Sequence, residues 1–429
     1  MRLVSTRNPK VRSTFLEALA AGPAPDGGLW MPEPIACFRD VPHLLALPWA
    51  ERNTEILHRL LGDEIDRADL EALAAEAFDF PVPLVPLKDR LFVLELFHGP
   101  SLAFKDFGAR FLARMLAHRT AQEGLKLRTV LVATSGDTGA AVAQAFWKVK
   151  GVRAVVLYPK GRVSPLQEAQ FATLGGNVMA YAVEGSFDDC QRLAKAAFAD
   201  PSVAGPLALV SANSINIARL LAQVLYYFEA AAQLRALGLR EAPLFSVPSG
   251  NFGNLCAGYL ARAMGLPVKA FVAACNANRT VPDHLDTGAY TPRPSLATLS
   301  NAMDVGDPSN WPRILHLFQG NLDELRATLR WGSLDDAATR RALWELNGLG
   351  CTADPHTAVA YGVLEERRGL GEPAVVLATA HPAKFADLLK RDMNLDLALP
   401  PALAEAQTRP LQAQPLEARE EALKAVLMG

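Results

Sequence analysis

The chain has 429 residues, of which 50% are hydrophobic and 21% charged, as is typical of a globular protein with two or three domains. Its formal net charge of −2 lacks the basic excess of a nucleic-acid-binding protein, so any anionic ligand must be held by a local site. No apolar run is long enough to span a membrane, and the N-terminal residues lack the apolar core of a signal peptide. We therefore expect a soluble, cytoplasmic protein that binds neither nucleic acid nor membrane.

The five cysteines are scattered along the chain and form no C-x-x-C pair. This spacing favours neither a zinc site nor a disulfide framework, and small packing residues are the simpler interpretation. We expect reduced thiols and no bound metal.

The first part of the chain, residues 1–90, is predicted to form a mainly helical N-terminal subdomain. Its clearest helical patterns are WAERNTEILHRLLG and RADLEALAAEAF, whereas DGGLWMPEP looks like a turn-rich segment. Pro81, Pro83 and Pro86 interrupt the helical pattern and mark the boundary.

A different sequence pattern begins at residue 91, where short apolar runs alternate with helical segments. Near-continuous apolar strands separated by helices are typical of parallel sheets that are covered on both faces. The number of runs predicts two doubly wound α/β domains over residues 91–400, the smaller one spanning roughly 105–215. The apolar runs are LFVLELF, TVLVAT, RAVVLYP, NVMAYAV, PLFSVP, VKAFVAA and PAVVLAT.

Two later segments lack this alternation of apolar runs and helical segments. Residues 284–312 form a long stretch with few regular signals, which in a compact enzyme is more often functional than a plain surface loop. From residue 401 to 429 the chain is rich in Ala, Leu and Glu, which predicts a peripheral helical tail without chemistry.

Two glycine-rich turns each follow a predicted strand and open a predicted helix. They are TSGDTGAA, residues 134–141, and PSGNFGN, residues 248–254. Helix N-termini offer free N–H groups to anions, and glycines let the backbone approach a ligand closely. Neither turn reads GxGxxG or GxxxxGK[ST], which disfavours a dinucleotide or P-loop site. Each could seat a phosphate or a carboxylate, or be a tight turn without a ligand.

Lys105 lies between Phe104 and Phe107 in the stretch LFHGPSLAFKDFGARF. Apolar surroundings make an amine easier to deprotonate, and a neutral amine can form a Schiff base with an aldehyde cofactor. The alternative is a surface lysine at the start of an amphipathic helix over residues 106–116, which Asp106 is expected to cap. Together with two anion-binding turns, the lysine favours pyridoxal phosphate and an amino-acid substrate.

Several motifs, long and in a fixed order, resemble the threonine synthase family. The resemblance runs from about residue 26 to 387 and favours the longer class of that family, which carries an extra N-terminal subdomain. It implies a tryptophan-synthase β-type fold (pyridoxal-phosphate fold type II) with the cofactor between two α/β domains. The motifs are FHGPSLAFKDF, TSGDTGAA, PSGNFGN, TAHPAKF, DGGLWMP, SNAMD and PSNWPR.

The resemblance also implies roles for individual residues. Lys105 would be catalytic and would bind the cofactor covalently, and Thr379 would meet its pyridine nitrogen. The cofactor phosphate would lie against Gly250, Asn251, Phe252, Gly253 and Asn254. The substrate carboxylate would lie at a helix N-terminus against Ser135, Gly136, Asp137 and Thr138.

Asp137 departs from shorter relatives, which commonly place an asparagine near the phenolic oxygen of the cofactor. An amide can donate a hydrogen bond, whereas an ionised carboxylate cannot. Asp137 is therefore predicted to be either protonated in the site or displaced from that oxygen.

The family's substrate, O-phospho-L-homoserine, requires a second phosphate site. SANSINIAR supplies Asn213, Asn216 and Arg219, and YPKGRVSP supplies Ser164. Asn216 and Arg219 would share one face of a helix, and a guanidinium suits phosphate because it binds in a bidentate manner. The alternative for Arg219 is an ordinary surface ion pair.

The resemblance implies a threonine synthase, which makes L-threonine and phosphate by γ-elimination and addition of water at Cβ. A serine/threonine dehydratase or a cysteine synthase shares the fold but needs no second phosphate site. A phospho-lyase that stops at 2-oxobutyrate would keep both sites. An inactive homologue is disfavoured by Lys105, and either a monomer or a homodimer is compatible with the sequence. His98 and His381 lie in family-like motifs, and we expect them to be packed, hydrogen-bonded residues.

Overall fold

The computed structural model describes residues 1–124 and 126–429. The N-terminal part opens with a small antiparallel sheet in the order β2-β1-β3. Helix α1 follows β2 and begins with a capping box, in which Thr14 accepts from the Glu17 N–H while the Glu17 carboxylate accepts from the Thr14 N–H. The elements of this part are β1 (Leu3–Ser5), β2 (Arg12–Ser13), α1 (Phe15–Ala21), β3 (Trp30–Pro32), α2 (Val41–Ala46), α3 (Trp49–Leu61) and α4 (Arg67–Ala77).

The remaining strands form two larger sheets. In chain order they are β4 (Leu84–Lys88), β5 (Leu91–Glu95), β6 (Arg128–Ala133), β7 (Val152–Pro159), β8 (Val178–Glu184), β9 (Val210–Ser211), β10 (Leu244–Pro248), β11 (Ala270–Cys275), β12 (Leu329–Ser333), β13 (Ala374–Ala378) and β14 (Gln414–Glu417). The six-stranded sheet has the order β12-β11-β10-β13-β5-β4, and the five-stranded sheet has the order β14-β8-β7-β6-β9. All neighbours pair in parallel except β4, which pairs antiparallel with β5.

Helices cover the sheets, as the alternation of apolar runs and helical segments predicts. In chain order they are α5 (Lys105–Gln122), α6 (Asp137–Phe146), α7 (Pro165–Ala172), α8 (Phe187–Ala199), α9 (Pro201–Ala204), α10 (Ile217–Ala222), α11 (Val224–Ala236), α12 (Gly253–Ala263), α13 (Thr280–Thr287), α14 (Trp311–Leu317), α15 (Leu322–Arg326), α16 (Asp336–Gly348), α17 (Pro355–Arg367), α18 (Ala386–Met393), α19 (Pro401–Thr408) and α20 (Glu420–Met428). The predicted fold class, two doubly wound α/β units and a mainly helical N-terminal region, is confirmed.

Two segments lie differently from the sequence prediction. β4 falls inside the predicted N-terminal subdomain, but it pairs with β5 and so belongs to the six-stranded sheet. The tail after Pro400 is not purely helical, because β14 separates α19 from α20 and pairs with β8 at the edge of the five-stranded sheet. Leu416 of β14 is buried there, together with Leu423 and Leu427 of α20.

The parallel pairing decides where the functional turns lie. β10 and β13 are neighbours, so the turn after Pro248 and Thr379 lie at the same edge of one sheet. β6 and β9 are neighbours in the other sheet, so the turn after Ala133 and the segment after Ser211 also share an edge. Ligand sites of α/β proteins lie beyond such carboxyl ends of strands.

Among the described residues, no helix has the length and apolar character that crossing a membrane requires.

Candidate active site

A cavity of about 460 Å³ lies where the carboxyl ends of the two sheets meet. Both glycine-rich turns line it, as do Lys105, Thr379 and part of the long segment 284–312. The predicted site residues that line the cavity are Lys105, Ser135, Asp137, Thr138, Asn213, Arg219, Gly250, Asn251, Phe252, Gly253, Asn254 and Thr379. The topology therefore brings most of the predicted site into one place.

Lys105 is the first residue of α5, and its side chain is 15% exposed, toward the cavity. Its Nζ lies 5.2 Å from the ring centroid of Phe104. Burial lowers the pKa of Lys105 to about 8; Asp137 opposes this change, and Lys384 adds to it. Phe107 does not flank the amine as predicted, because it packs in the core against Phe80. The apolar wall is therefore Phe104.

Asp106 does not cap α5, which corrects the prediction from the sequence. Phe104 is the N-cap residue of α5, and no side chain caps this end. The buried Asp106 Oδ2 instead accepts a hydrogen bond from the Ser101 N–H at 2.9 Å. Burial raises the pKa of Asp106 to about 6, although the bond from Ser101 lowers it. Asp106 thus fixes the loop that precedes Lys105.

The turn after β10 is shaped by close packing and a left-handed residue. Phe252 has φ +60° and is the N-cap residue of α12, which begins at Gly253. A Cβ on Gly250 would lie 2.6 Å from the Met303 Cα, so only glycine fits against this part of the long segment. Asn251 also fixes this turn against the long segment, because its Oδ1 accepts a hydrogen bond from the Ser309 N–H at 2.7 Å. The turn leaves the N-terminus of the 11-residue helix α12 facing the cavity.

Asn254 carries an amide group that is positioned for an anion. Its Oδ1 accepts hydrogen bonds from the hydroxyl groups of Tyr226 and Tyr227, each at 2.7 Å, which fixes the orientation of the amide. Its Nδ2 is buried and has no partner among the described residues. A buried donor without a partner is costly, and a phosphate oxygen would satisfy it. The turn therefore fits the phosphate of pyridoxal phosphate.

Thr379 directly follows β13 and lines the cavity. Its carbonyl oxygen accepts a hydrogen bond from the Phe104 N–H at 2.9 Å. This bond joins the strand end to the residue before Lys105. The predicted contact of its hydroxyl with the pyridine nitrogen stays a prediction.

The turn after β6 is organised by Thr134, whose Oγ1 accepts from the N–H groups of Gly136 and Gly139 at 2.9 and 2.8 Å. Gly136 has φ +141°, and a Cβ there would lie 2.6 Å from the Gln167 side chain. Gly136 therefore shapes the turn and does not line the cavity. Ser135, Asp137 and Thr138 line it at the N-terminus of α6, a position that favours anions.

The charges around Asp137 favour its ionised form over the predicted protonated alternative. Burial raises its pKa, but the ammonium groups of Lys384 and Lys105 outweigh burial and hold the pKa below its ordinary value. The Lys384 Nζ lies 2.6 Å from Asp137 Oδ1. Lys384 belongs to TAHPAKF, but sequence reasoning gave it no role; a second lysine in a family-like motif was the available signal.

The predicted substrate-phosphate residues divide into two groups. Arg219 and Asn213 line the cavity. Asn216 is fully buried away from it: its Nδ2 donates to the Leu19 and Ser211 carbonyls, and its Oδ1 caps α10. Ser164 also lies outside the cavity and caps α7 by accepting from the Gln167 N–H. Both are helix caps, a common role for Asn and Ser that the sequence interpretation did not consider for them.

Arg219 is almost fully buried. Its Nη1 donates to the Ala212 carbonyl at 2.7 Å, and its Nε has no hydrogen-bond partner among the described residues. Burial lowers its pKa to about 10. In the described part of the chain no carboxylate pairs with it, so the alternative of a surface ion pair is wrong.

His356 is a cavity residue that the sequence analysis missed. Its Nε2 accepts from the Ala302 N–H at 3.1 Å, while Nδ1 lies 2.6 Å from Asp354 Oδ1. Because Nε2 accepts, the proton lies on Nδ1 and is donated to Asp354. The pair fixes the short 3₁₀ turn Asn301–Met303 against the glycine-rich turn. The two motif histidines lie elsewhere: His98 pairs with Glu95, and His381 Nδ1 accepts from the Ala383 N–H.

The fold and the site together define a class of enzyme. A cavity lysine of lowered pKa lies beyond the strand ends of two parallel sheets, together with a glycine-rich turn whose buried Asn254 donor has no partner among the described residues. The family model described as pyridoxal-phosphate-dependent enzyme matches residues 78–380. The chain is therefore a pyridoxal-phosphate-dependent enzyme, as the sequence predicts.

Within that class, the chain belongs to the threonine synthase family. Models of the threonine synthase N terminus and C-terminal region match residues 2–78 and 357–427. The threonine synthase of Haemophilus influenzae is 46% identical over 428 residues, covering 100% of both chains. The crystal structure of threonine synthase from Escherichia coli matches with a TM-score of 0.94 at 46% identity, covering 100% of this chain and 99% of that one.

The pyridoxal-phosphate-bound threonine synthase from Brucella melitensis matches as well, with a TM-score of 0.94 at 36% identity, covering 100% of this chain and 98% of that one. The predicted cofactor, pyridoxal phosphate, and the predicted enzyme class, a lyase of threonine biosynthesis, are confirmed. The full-length identity of 46% to curated threonine synthases also favours this family over a dehydratase or a cysteine synthase.

Proposed function

We propose that the substrate is O-phospho-L-homoserine, which the enzyme converts with water to L-threonine and phosphate. The observation that supports this substrate is the presence of two separate anion-binding groups in one cavity. The turn at α12 with Asn254 would bind the cofactor phosphate, which leaves Arg219 for a second phosphate. An amino-acid substrate without a phosphate would leave this buried guanidinium without an anionic partner among the described residues.

Pyridoxal phosphate, when bound, supplies an electron sink for negative charge at the substrate Cα. The turn Gly250–Asn254 would hold its phosphate, Lys105 its aldehyde carbon, and Thr379 its ring nitrogen. Each of these residues lines the cavity.

Lys105 is the residue that would move protons. A group with a pKa of about 8 can be neutral or protonated near neutral pH, as a general base and acid requires. Lys105 therefore removes the Cα proton of the substrate and returns a proton to the product. Its place at the first residue of α5, beside the ring of Phe104, keeps the amine in the cavity.

The N-terminus of α6 would orient the substrate through its carboxylate. Ser135 and Thr138 line the cavity there, and the positive end of the helix dipole favours an anion. Asp137 carries a charge of its own, but Lys384 neutralises it. Asn213 lies on the cavity wall in the segment that leads to Arg219.

Product analysis tests the proposal. The purified enzyme, loaded with pyridoxal phosphate and supplied with O-phospho-L-homoserine, should release threonine and phosphate in equal amounts. L-Homoserine is the control and should give no product, because its γ-hydroxyl is a much poorer leaving group than phosphate and because it lacks the group that Arg219 would bind. Formation of 2-oxobutyrate would favour the phospho-lyase instead, and equal turnover of homoserine would remove the phosphate site from the proposal.

We propose in addition that the enzyme acts in the cytoplasm as a monomer or a homodimer. All five cysteines are free thiols, which suits a reducing compartment. Light scattering of the purified chain measures the oligomeric state directly.

A further inference from the structure

Asp137 lies between two lysine side chains at the back of the cavity. The Lys384 Nζ is 2.6 Å from Asp137 Oδ1, whereas the Lys105 Nζ is 4.0 Å from Asp137 Oδ2. The Lys384 and Asp137 side chains are 0% and 2% exposed, so water does not screen this pair. Two cations therefore share one carboxylate, and Lys384 makes the shorter ion pair with it.

Other contacts hold Lys384 in this position. Its Nζ also donates a hydrogen bond to the Ser101 carbonyl at 2.9 Å, and Gln170 Nε2 donates to the same oxygen at 3.1 Å. Gln167 Nε2 donates to Asp137 Oδ1 at 2.9 Å, which fixes the carboxylate from the other side. Lys384 lies in the 3₁₀ turn Pro382–Phe385, directly after the β13 edge, and cannot reach the solvent.

We propose that Lys384 is a positioning residue: it acts as the permanent counter-ion of Asp137 and so leaves Lys105 free to lose its proton. Without Lys384, the nearest cation to the buried carboxylate of Asp137 would be Lys105, and the ion pair would hold Lys105 in its ammonium form. With Lys384 in place, Asp137 and Lys384 form a neutral pair. Burial then disfavours the ammonium form of Lys105, and no unpaired carboxylate offsets this effect. The proposal concerns the chain itself and is independent of the identity of the substrate.

The charges that act on Lys105 agree with this arrangement. Burial is the largest influence on the pKa of Lys105. Of the charged groups, Asp137 and Asp354 raise this pKa, whereas Lys384 and Arg219 lower it. These four groups come from α6, the N-cap of α17, the turn after β13, and α10. The Asp137 carboxylate opposes deprotonation of Lys105, and Lys384 is in direct contact with this carboxylate.

The experiment measures how the reactivity of Lys105 depends on pH in the full-length chain after removal of the cofactor. Trace acetic anhydride is added over a range of pH, and acetylation of the Lys105 peptide is quantified by mass spectrometry against exposed lysines. The variants are Lys384→Gln, which keeps hydrogen-bonding ability without charge, and the double variant Asp137→Asn/Lys384→Gln. Lys390→Gln, at a half-exposed lysine of α18, is the matched control.

The midpoint for Lys105 should rise by at least about one pH unit in Lys384→Gln, because the unpaired carboxylate now attracts its proton. In the double variant the Lys105 midpoint should return close to the parent value. The two amides carry no net charge, and neither does the ion pair that they replace. Lys390→Gln should leave the midpoint unchanged.

A midpoint that stays at the parent value in Lys384→Gln would overturn the proposal, even if the variant were less stable. So would a double variant whose midpoint stays as high as that of Lys384→Gln. If Lys384→Gln fails to fold, the double variant still decides, because it must match the parent midpoint.

Discussion

The Arg313 guanidinium donates a hydrogen bond from Nε to the carbonyl oxygen of Trp30, 3.2 Å away. Arg313 is fully buried in α14, and Trp30 lies in β3 of the N-terminal sheet. The same guanidinium donates to the carbonyls of Ser214 and Ile215 at 3.2 and 2.7 Å, and to Asn310 Oδ1 at 2.6 Å. Arg313 therefore joins the N-terminal part to a segment that lines the cavity.

Replacing Arg313 by methionine should destabilise the enzyme by at least about 3 kcal/mol, because several buried acceptors lose their donor. The KM for the phosphorylated substrate should rise as well, since Ser214 and its neighbours lose their support. Urea unfolding and steady-state kinetics measure the two effects. Arg326→Met is the control: Arg326 is partly exposed and lies outside the cavity. Equal stability of the two variants would contradict the prediction.

The sequence predicts the parts of the fold that carry strong local signals. The runs LFVLELF, TVLVAT and PLFSVP are β5, β6 and β10, because central parallel strands are apolar on both faces. The glycine-rich turns also carry a strong local signal. Glycine is needed at position 136, where φ is positive, and at position 250, where the backbone lies against Met303. Edge strands such as β12, with the mixed sequence LRWGS, carry no such signal.

What the sequence leaves open depends on contacts between distant segments. Nothing near Lys384 indicates that it reaches Asp137, and nothing near His356 indicates that it contacts Ala302. Asn216 and Arg219 are three residues apart in sequence, yet one caps α10 and the other lines the cavity. Helical spacing shows which residues are neighbours, but the direction each faces is set by packing.

Replacing Asn254 by aspartate should weaken the binding of pyridoxal phosphate by at least about 100-fold. The change puts a carboxylate where a buried amide donor faces the anion site, so a donor is lost and a repulsive charge is gained. Fluorescence or absorbance titration of the cofactor measures the dissociation constant. Asn321→Asp is the matched control, because Asn321 is an exposed N-cap where Asn and Asp are equivalent. An unchanged dissociation constant would contradict the assignment of this turn.

Arg219 and Asn216 should respond differently to alanine substitution. Arg219→Ala should raise the KM for O-phospho-L-homoserine at least about tenfold, with little change in cofactor affinity, because a charge-assisted bond to the substrate phosphate is lost. Asn216→Ala should instead lower the free energy of unfolding by about 1–2 kcal/mol, because α10 loses its cap. Kinetics and urea unfolding of both variants separate the roles. A tenfold KM effect of Asn216→Ala without loss of stability would restore it to the substrate site.

The buried Asp106 should make the stability of the enzyme depend on pH. Its pKa is about 6 in the folded chain, mainly because of burial, against an ordinary value of 3.8. A raised carboxyl pKa means that the folded chain binds the proton more tightly than the unfolded chain. The contribution of Asp106 is therefore most favourable below about pH 4 and is lost as the pH rises through 6.

Asp106→Asn removes this titration while keeping an acceptor for the Ser101 N–H. Between pH 4 and pH 7 the free energy of unfolding of this variant, relative to the parent, should increase by on the order of 2–3 kcal/mol, so the variant becomes relatively more stable. Urea unfolding at a series of pH values measures the difference, in which the titration of all other groups cancels. Asp66→Asn, at an exposed position, should show no such change. A relative stability of Asp106→Asn that is constant from pH 4 to pH 7 would show that Asp106 is ionised throughout this range.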